Sequence, residues 1–141
     1  MVSHLLNKLR GTNEMDEIVQ IRKFNAIGED ERGLTAEFSL SRQQNEFVYV
    51  SRKAGSLSGN TYHEGKSPAT KPKMFILLTG KIILSYRKIG TDKKYSKEID
   101  APAVIEISSH VTHKVEALKD FVLLECNSIK DIQDDRIREE V

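Results

Sequence analysis

The chain has 141 residues, which is enough for one domain of ordinary size but too short for two. It carries 22 Lys and Arg residues against 21 Asp and Glu residues, and this balance argues against a nucleic-acid partner, whose binding needs a basic excess. The longest apolar run, Met74–Leu78, is far shorter than the roughly 20 residues that span a bilayer, so no membrane partner is predicted. Because Cys126 is the only cysteine, no disulfide can form within the chain, and a cytoplasmic location is predicted.

The first 17 residues are predicted to be a short N-terminal extension. Leu5, Leu6 and Leu9 follow one another at helical spacing, which is typical of a short amphipathic helix of marginal stability. Residues 11–13 contain Gly and Asn and would end such a helix. The segment has early charges and no apolar stretch behind them, so a secretion signal is not predicted.

From residue 18 onward the sequence is typical of short β-strands separated by polar turns. In Lys81–Lys88 this is clearest, because Ile82, Leu84 and Tyr86 share one face of a predicted strand. The other predicted strands are Ile18–Phe24, Leu34–Leu40, Glu46–Val50, Met74–Thr79, Tyr95–Ile99, Ala103–Ile107, Thr112–Glu116 and Phe121–Cys126. Residues 28–33 are predicted as a turn, and residues 131–141 as a last helical turn or a loose tail.

Many short strands without long helices between them favour a β-sandwich or barrel over a parallel α/β sheet. The predicted fold class is therefore all-β. It consists of a single barrel over residues 18–128, the N-terminal extension of residues 1–17 and a C-terminal tail of residues 129–141.

Three short motifs, in this order, resemble those of the cupin superfamily. Asp30–Gly33 is similar to a D-x-R-G turn, Gly59–Gly80 to the first cupin motif, and Ile107–His113 to the second motif, which ends in a histidine. The chain looks most like the small cupins of sugar-nucleotide and cell-surface polysaccharide biosynthesis, the dTDP-4-keto-sugar epimerases and 3,4-ketoisomerases. The resemblance covers roughly residues 18–128 and implies a cupin jelly-roll barrel.

The chain departs from the metal-binding cupins at two of the positions that would hold the ion. Thr61 stands at the first histidine position and Lys73 at the glutamate position, whereas His63 and His113 are kept. A protonated lysine has no free lone pair and repels a divalent cation, so no metal or other cofactor is expected. The metal-free enzymes of the family have a base at the first histidine position, where this chain has Thr61.

Proton abstraction beside a keto group needs a base, a group that stabilises the enolate and an acid. We predict His63 as the base, because the ordinary pKa of histidine lies near neutral pH. Lys73 would stabilise the enolate oxygen, Tyr86 would be the acid, and His113 completes the predicted catalytic set. If these four side chains line one cavity, the Lys73 charge should hold the pKa of His63 below its ordinary value.

Three further residues are predicted to bind the substrate. The resemblance implies that Arg32, the arginine of the D-x-R-G turn, holds the nucleotide diphosphate, since a guanidinium matches phosphate in a bidentate fork. Thr61 is predicted to bind the substrate because it stands at the first histidine position of the first motif. Glu125 shares a predicted face with Phe121 and Leu123, and a carboxylate on an apolar face is either paired or functional.

These residues predict a metal-free sugar-nucleotide isomerase or epimerase of surface-polysaccharide synthesis, whose partner is a small-molecule sugar nucleotide. Two alternatives stay open: a non-catalytic cupin that binds a sugar or sugar nucleotide, and an atypical metallo-cupin that uses His63, His113 and Glu125. A homodimer is also predicted, because small cupins dimerise and edge strands need cover. Its interface would use residues 18–24 and the stripe formed by Leu5, Leu6 and Leu9.

Overall fold

The computed structural model describes residues 18–141, which form two five-stranded antiparallel sheets and a separate two-stranded hairpin. The strands are β1 (Val19–Lys23), β2 (Asn25–Asp30), β3 (Gly33–Glu37), β4 (Val48–Arg52), β5 (Leu57–His63), β6 (Lys73–Thr79), β7 (Lys81–Lys88), β8 (Lys94–Asp100), β9 (Ala103–Ile107), β10 (Val111–Ala117), β11 (Phe121–Glu125) and β12 (Arg136–Arg138). Within the described residues, a 3-10 turn, Pro68–Thr70, precedes β6, and an α-helix, α1 (Ile129–Asp135), precedes β12. The leucine stripe of the N-terminal extension lies outside the described residues.

The two large sheets pack face to face around one apolar core. The first sheet has the strand order β1-β9-β6-β11-β4, the second has the order β12-β5-β10-β7-β8, and β2 pairs only with β3. Buried side chains of both sheets form one cluster, with Leu77 and Ile105 from the first sheet and Ile82 and Leu84 from the second. The predicted all-β fold is therefore confirmed. Within residues 18–141, no helix has the length and apolar character needed to cross a membrane.

Strands with alternating or continuous apolar residues agree best with the sequence-based prediction. β7 and β9 have the predicted bounds, whereas β2, β5 and β12 were not predicted. The turn predicted over residues 28–33 is wrong in extent, because β2 continues to Asp30 and only Glu31 and Arg32 form the turn. The last residues are not a loose tail, because β12 pairs with β5.

The backbones of β5 and β10 approach closely at Gly59, and the pairing register shifts beside this contact. Gly59 of β5 has a φ of 107°, and a Cβ atom there would lie 2.7 Å from the carbonyl oxygen of His113. Only glycine fits such a backbone contact without displacing the neighbouring strand. The register between the two strands shifts just past His113, which leaves Thr61 directly opposite that residue.

A buried carboxylate attaches the C-terminal segment to the rest of the fold. Asp135, at the end of α1, is 2% exposed. It accepts hydrogen bonds from the backbone N–H groups of Glu64, Gly65 and Lys66 at 2.9, 3.0 and 3.0 Å, and from the hydroxyl of Thr70. These bonds satisfy donors that would otherwise be unpaired in the loop after β5, and they fix the point at which β12 begins.

Candidate active site

A cavity of about 200 Å³ opens between the two sheets. Its apolar lining consists of Val50, Phe75, Val115, Phe121, Leu123 and Ile132. Its polar and glycine lining consists of Arg52, Ser58, Gly59, Thr61, His63, Lys73, His113, Glu125, Arg136 and Arg138. The two histidines and Lys73 are buried, whereas the three arginines are exposed, so the cavity has a buried floor and a basic mouth.

Lys73 places a positive charge at the floor of the cavity. It is the first residue of β6 and is 2% exposed. Its Nζ donates a hydrogen bond to Oε1 of Glu125 at 2.6 Å and another to Oδ1 of Asn127, and it lies 5.3 Å from the ring centroid of Phe75. Burial lowers the pKa of Lys73, and the Glu125 carboxylate opposes this shift. Of the two possibilities left open for Glu125, paired or functional, the structure shows a pairing, and Lys73 is its partner.

His63 and His113 are neutral imidazoles that face each other in the cavity. Their ring centroids are 6.2 Å apart, with an interplanar angle of 25°. Burial, and after it the nearby Lys73 charge, lower the pKa of His63 to about 3. Burial also lowers the pKa of His113 to about 4, although its contact with the Val111 carbonyl acts in the opposite direction. Both rings are therefore unprotonated at pH 7.

The hydrogen bonds of the two rings differ. Nδ1 of His113 lies 3.1 Å from the carbonyl oxygen of Val111, so a neutral ring carries its proton there and leaves Nε2 as an acceptor. Nδ1 of His63 is buried and has no hydrogen-bond partner among residues 18–141. A buried nitrogen without a partner is costly unless a ligand or a function accounts for it.

Strand alternation explains how His63 reaches the cavity. Along β5, Thr61 and His63 line the cavity, whereas the intervening Tyr62 is not among its lining residues and has its ring 6.0 Å from that of His110. This agrees with the period of two residues in a strand. The structure thus brings together five of the seven predicted site residues: His63, Lys73, His113, Thr61 and Glu125.

Two predicted site residues lie elsewhere. Tyr86 is fully buried in the core, where its ring stacks on Tyr95 at 5.5 Å, and it does not line the cavity. Arg32 lies in the turn of the β2–β3 hairpin, outside the cavity of its own chain, and its guanidinium is 2.8 Å from a carboxylate oxygen of Asp30. The arrangement expected for Tyr86 is therefore absent, because its ring packs in the core cluster and is not part of the cavity lining.

Four residues of the site were missed by the sequence analysis: Arg52, Asn127, Arg136 and Arg138. Asn127 follows Glu125 by two residues, and alternation beyond the predicted strand was the signal that could have found it. The Arg-Ile-Arg pattern of β12 also alternates, but three residues are too few to predict a strand.

The described residues do not fit a divalent metal ion. Within residues 18–141, no three His, Cys, Asp or Glu side chains are grouped as a metal site. Glu125, which the metallo-cupin alternative needs, is ion-paired with Lys73. An ammonium group beside the two imidazoles repels a cation and disfavours metal binding at this site.

Comparison with known protein families identifies the chain at the family level. The model of the polysaccharide biosynthesis C-terminal domain matches residues 28–136, which is most of the chain. The chain belongs to this family. A search of the curated proteins found no match.

Solved structures show that this family member has an RmlC-like cupin jelly-roll fold, as predicted. The sugar 3,4-ketoisomerase QdtA from Thermoanaerobacterium thermosaccharolyticum, in complex with TDP, matches with a TM-score of 0.65, 17% identity, and coverage of 86% of this chain and 88% of that chain. The dTDP-6-deoxy-D-glucose-3,5-epimerase RmlC from Legionella pneumophila, in complex with dTDP-4-keto-L-rhamnose, matches with a TM-score of 0.63, 16% identity, and coverage of 89% and 74%. The capsular polysaccharide assembling protein CapF from Staphylococcus aureus matches with a TM-score of 0.58 and 22% identity, over 84% of this chain but only 34% of that chain.

Proposed function

We propose that the cavity binds the keto sugar of a sugar nucleotide and that the protein isomerises or epimerises it by proton abstraction beside the keto group. The observation that carries this proposal is the presence of a neutral imidazole, His63, and a buried ammonium, Lys73, in the lining of one cavity. A volume of about 200 Å³ is below the roughly 300–1,000 Å³ of typical ligand pockets, so it suits one sugar ring rather than a whole nucleotide. The ligands named in the matched cupin structures support the choice of a sugar nucleotide.

The proposed reaction uses His63 as the base and Lys73 as the electrostatic catalyst. His63 removes a proton from the carbon beside the carbonyl, the C–H electrons form a C=C bond, and the carbonyl oxygen gains the negative charge. The Lys73 ammonium, held in place by Glu125, stabilises that oxygen in a setting of low polarity. Return of the proton to the opposite face gives an epimer. Its return to the former carbonyl carbon, with transfer of the hydroxyl proton, gives the isomeric ketone.

The proton donor proposed for the second step is a residue other than Tyr86. Since Tyr86 does not line the cavity, the imidazolium of His63 that forms in the first step is the proposed proton donor for the isomeric ketone, which it reaches from the same face of the sugar. Formation of an epimer requires a proton from the opposite face of the sugar, and this proton has to come from a donor other than His63. His113 has its ring centroid 6.2 Å from that of His63, and it contributes to the lowered pKa of His63. Thr61, opposite His113 across the β5–β10 ladder, is proposed to hydrogen-bond the sugar.

The proton-abstraction step is tested by exchange in D₂O. Purified protein is incubated with dTDP-4-keto-6-deoxyglucose, or with its UDP counterpart, and the protons beside the carbonyl are followed by ¹H NMR. We expect loss of one such signal and a new sugar product. The variant His63→Asn should slow exchange by a factor of about 10² or more, because it lacks the base. His110→Asn, a change of an exposed histidine, is the matched control and should exchange at the wild-type rate.

One observation favours a second function, the non-catalytic binding of a sugar nucleotide. A general base is most effective when its pKa lies near the working pH, and the pKa of His63 is about 3. Under this alternative, the NMR experiment shows line broadening or shifts of the nucleotide signals without any deuterium incorporation. Exchange above the buffer rate excludes this alternative, and the absence of both binding and exchange contradicts both functions.

The metal-free character of the site is part of the proposal. Purified protein should carry less than one equivalent of transition metal per chain, because an ammonium stands beside the two imidazoles. One tightly bound ion per chain, lost in His63→Ala, would instead support the metallo-cupin alternative. A role in surface-polysaccharide synthesis and a cytoplasmic location stay predictions.

A further inference from the structure

The mouth of the cavity is more basic than its proposed chemistry requires. Arg52 of β4 lies on one sheet, and Arg136 and Arg138 of β12 lie on the other, yet all three line the same cavity. Among the described lining residues the carboxylate is that of Glu125, and Lys73 already neutralises it. The three guanidinium groups therefore give the entrance a positive potential that nothing in the lining offsets.

Two of these guanidinium groups have no partner in the described part of the chain. The structure records no side-chain hydrogen bond or ion pair for Arg136 or Arg138 within residues 18–141. Other arginines of the fold are engaged: Arg42 donates to three backbone carbonyl groups, and Arg87 pairs with Glu139 at 2.9 Å. The forks of Arg136 and Arg138 are thus available to a ligand.

The position of β12 directs both side chains to the cavity. In the antiparallel pairing with β5, Arg136 lies opposite His63 and Arg138 lies opposite Thr61, and cross-strand partners project from the same face of a sheet. Ile137, between them, is not among the lining residues. The Arg136 charge is close enough to His63 to lower the pKa of that imidazole.

Hydrogen bonds at both ends hold β12 in place. Asp135 fixes its beginning through the loop after β5, as described above. Beyond its end, the Glu139 N–H donates to the Asn60 carbonyl at 2.9 Å, and the Val141 N–H donates to Oδ1 of Asn60 at 3.0 Å. The two arginines are thus carried by an anchored strand, which keeps their guanidinium groups near the cavity before any ligand arrives.

We propose that Arg136 and Arg138, with Arg52 across the mouth, bind the diphosphate of a nucleoside diphosphate ligand. This deepens the proposed function and rests on it for the placement of the sugar ring at the floor. A cavity of about 200 Å³ leaves the diphosphate at the entrance, where paired guanidinium forks match its oxygens in charge and geometry. The C-terminal strand is then a functional element, and the diphosphate contact falls to its arginines rather than to Arg32.

The test measures dTDP binding by calorimetry, with wild-type protein and the variants R136Q, R138Q and R136Q/R138Q. Each single change should weaken dTDP binding at least about tenfold, which is about 1.4 kcal/mol, because it removes a charge-assisted hydrogen bond to phosphate. The double variant should also show a smaller dependence of affinity on salt concentration. K130Q removes an equal charge from α1, where the side chain is exposed and paired with Asp134, and should bind within about twofold of wild type.

The variant R136K/R138K separates charge from geometry and guards against a folding defect. It keeps both charges but not the planar forks, so it should bind dTDP with intermediate affinity. Wild-type affinity in R136Q/R138Q, or a loss in R32Q that those two changes do not produce, would overturn the assignment, as would failure of wild-type protein to bind dTDP at all.

Failure of the diphosphate assignment can be distinguished from failure of the isomerase proposal. If R136Q/R138Q loses dTDP binding while the wild-type protein causes no deuterium exchange, the diphosphate site stands and the catalytic proposal fails. If exchange proceeds in R136Q/R138Q with an unchanged KM, the catalytic proposal stands and the diphosphate site is refuted.

Discussion

Lys73 keeps a positive charge at the floor of a cavity in which both neighbouring imidazoles are neutral. Its ammonium is held by Glu125 and Asn127, and its charge disfavours protonation of His63 and His113. Burial acts in the same direction on both rings. The site thus separates the roles of cation and proton acceptor between two kinds of side chain, as enolate chemistry requires.

The two lowered pKa values predict that the protein loses stability on mild acidification. Unfolded histidines bind protons as the pH falls below their ordinary pKa of 6.5, whereas folded His63 and His113 stay neutral down to about pH 3 and 4. The unfolded state therefore binds more protons in this window, and the free energy of unfolding falls as the pH drops from 6.5 towards 4. Urea unfolding at pH 7 and pH 4.5 should show a loss on the order of a few kcal/mol.

Variants assign this loss to the two buried rings. H63Q and H113Q should each remove part of the pH dependence, because glutamine does not titrate, and H110Q at an exposed position should leave it as in wild type. An identical pH dependence in all four proteins would show that the two imidazoles are not neutral in the folded state.

Among the elements, the loop after β5 depends on a residue far away in the sequence. Asp135 of α1 accepts three backbone N–H bonds from residues 64–66, directly behind His63. D135N should cost about 1–3 kcal/mol of unfolding free energy, because an amide nitrogen then faces N–H donors that it cannot satisfy. Hydrogen exchange of the amides of residues 64–66 should accelerate as well.

The neighbouring Asp134 is the matched control for this prediction. Its carboxylate is exposed and pairs with Lys130 at 2.7 Å in an i,i+4 contact. D134N should therefore cost at most about 0.5 kcal/mol and leave the exchange of residues 64–66 unchanged. Equal effects of the two changes would show that the buried carboxylate does not hold the loop.

Elements with an apolar face could be predicted from the sequence, and polar elements could not. β7 and β9 were predicted to the residue because their buried positions, apart from Glu106 of β9, are apolar. β5 was missed because Gly59, Thr61 and His63 line the cavity and give the strand no run of apolar core residues. β2 is exposed along its whole length and gives no hydrophobic period.

The site residues were likewise predictable only where a motif or a strand pattern marks them. His63, Lys73 and His113 were found through their motif positions, and strand alternation places them in one cavity. Tyr86 was assigned to the cavity by the same alternation, which states the face of a strand but not the depth at which a side chain lies. The arginines of β12 depend on a pairing between segments that are distant in sequence, which periodicity does not report.

At the scale of the whole molecule, the edge strand β1 and the exposed β2–β3 hairpin are the features that bear on assembly. β1 is the edge strand of the first sheet, and an unpaired edge is a template for another chain. The β2–β3 hairpin leaves Ile27 and Leu34 62% and 48% exposed. We predict a homodimer that covers β1, with the leucine stripe of residues 1–17 as a further contact.

Sedimentation of the full chain at micromolar concentration tests this assembly. A mass near twice that of one chain is expected, and deletion of residues 1–17 should weaken the dimer. A monomer under these conditions, or an unchanged mass after removal of both residues 1–17 and β1, would contradict the prediction.

An NMR titration of the His63 ring shows, without any substrate, whether the Lys73 charge holds the pKa of His63 low. In wild-type protein we expect no imidazolium signal of His63 at pH 6.5, where an ordinary histidine is half protonated. In Lys73→Met the pKa of His63 should rise, because removal of a positive charge favours the protonated ring. Lys73→Arg, which keeps the charge, and Lys130→Met on α1 should leave it low. Titration of His63 near 6.5 in wild-type protein, or an equal pKa in wild type and Lys73→Met, would show that His63 is not coupled to a buried Lys73 charge.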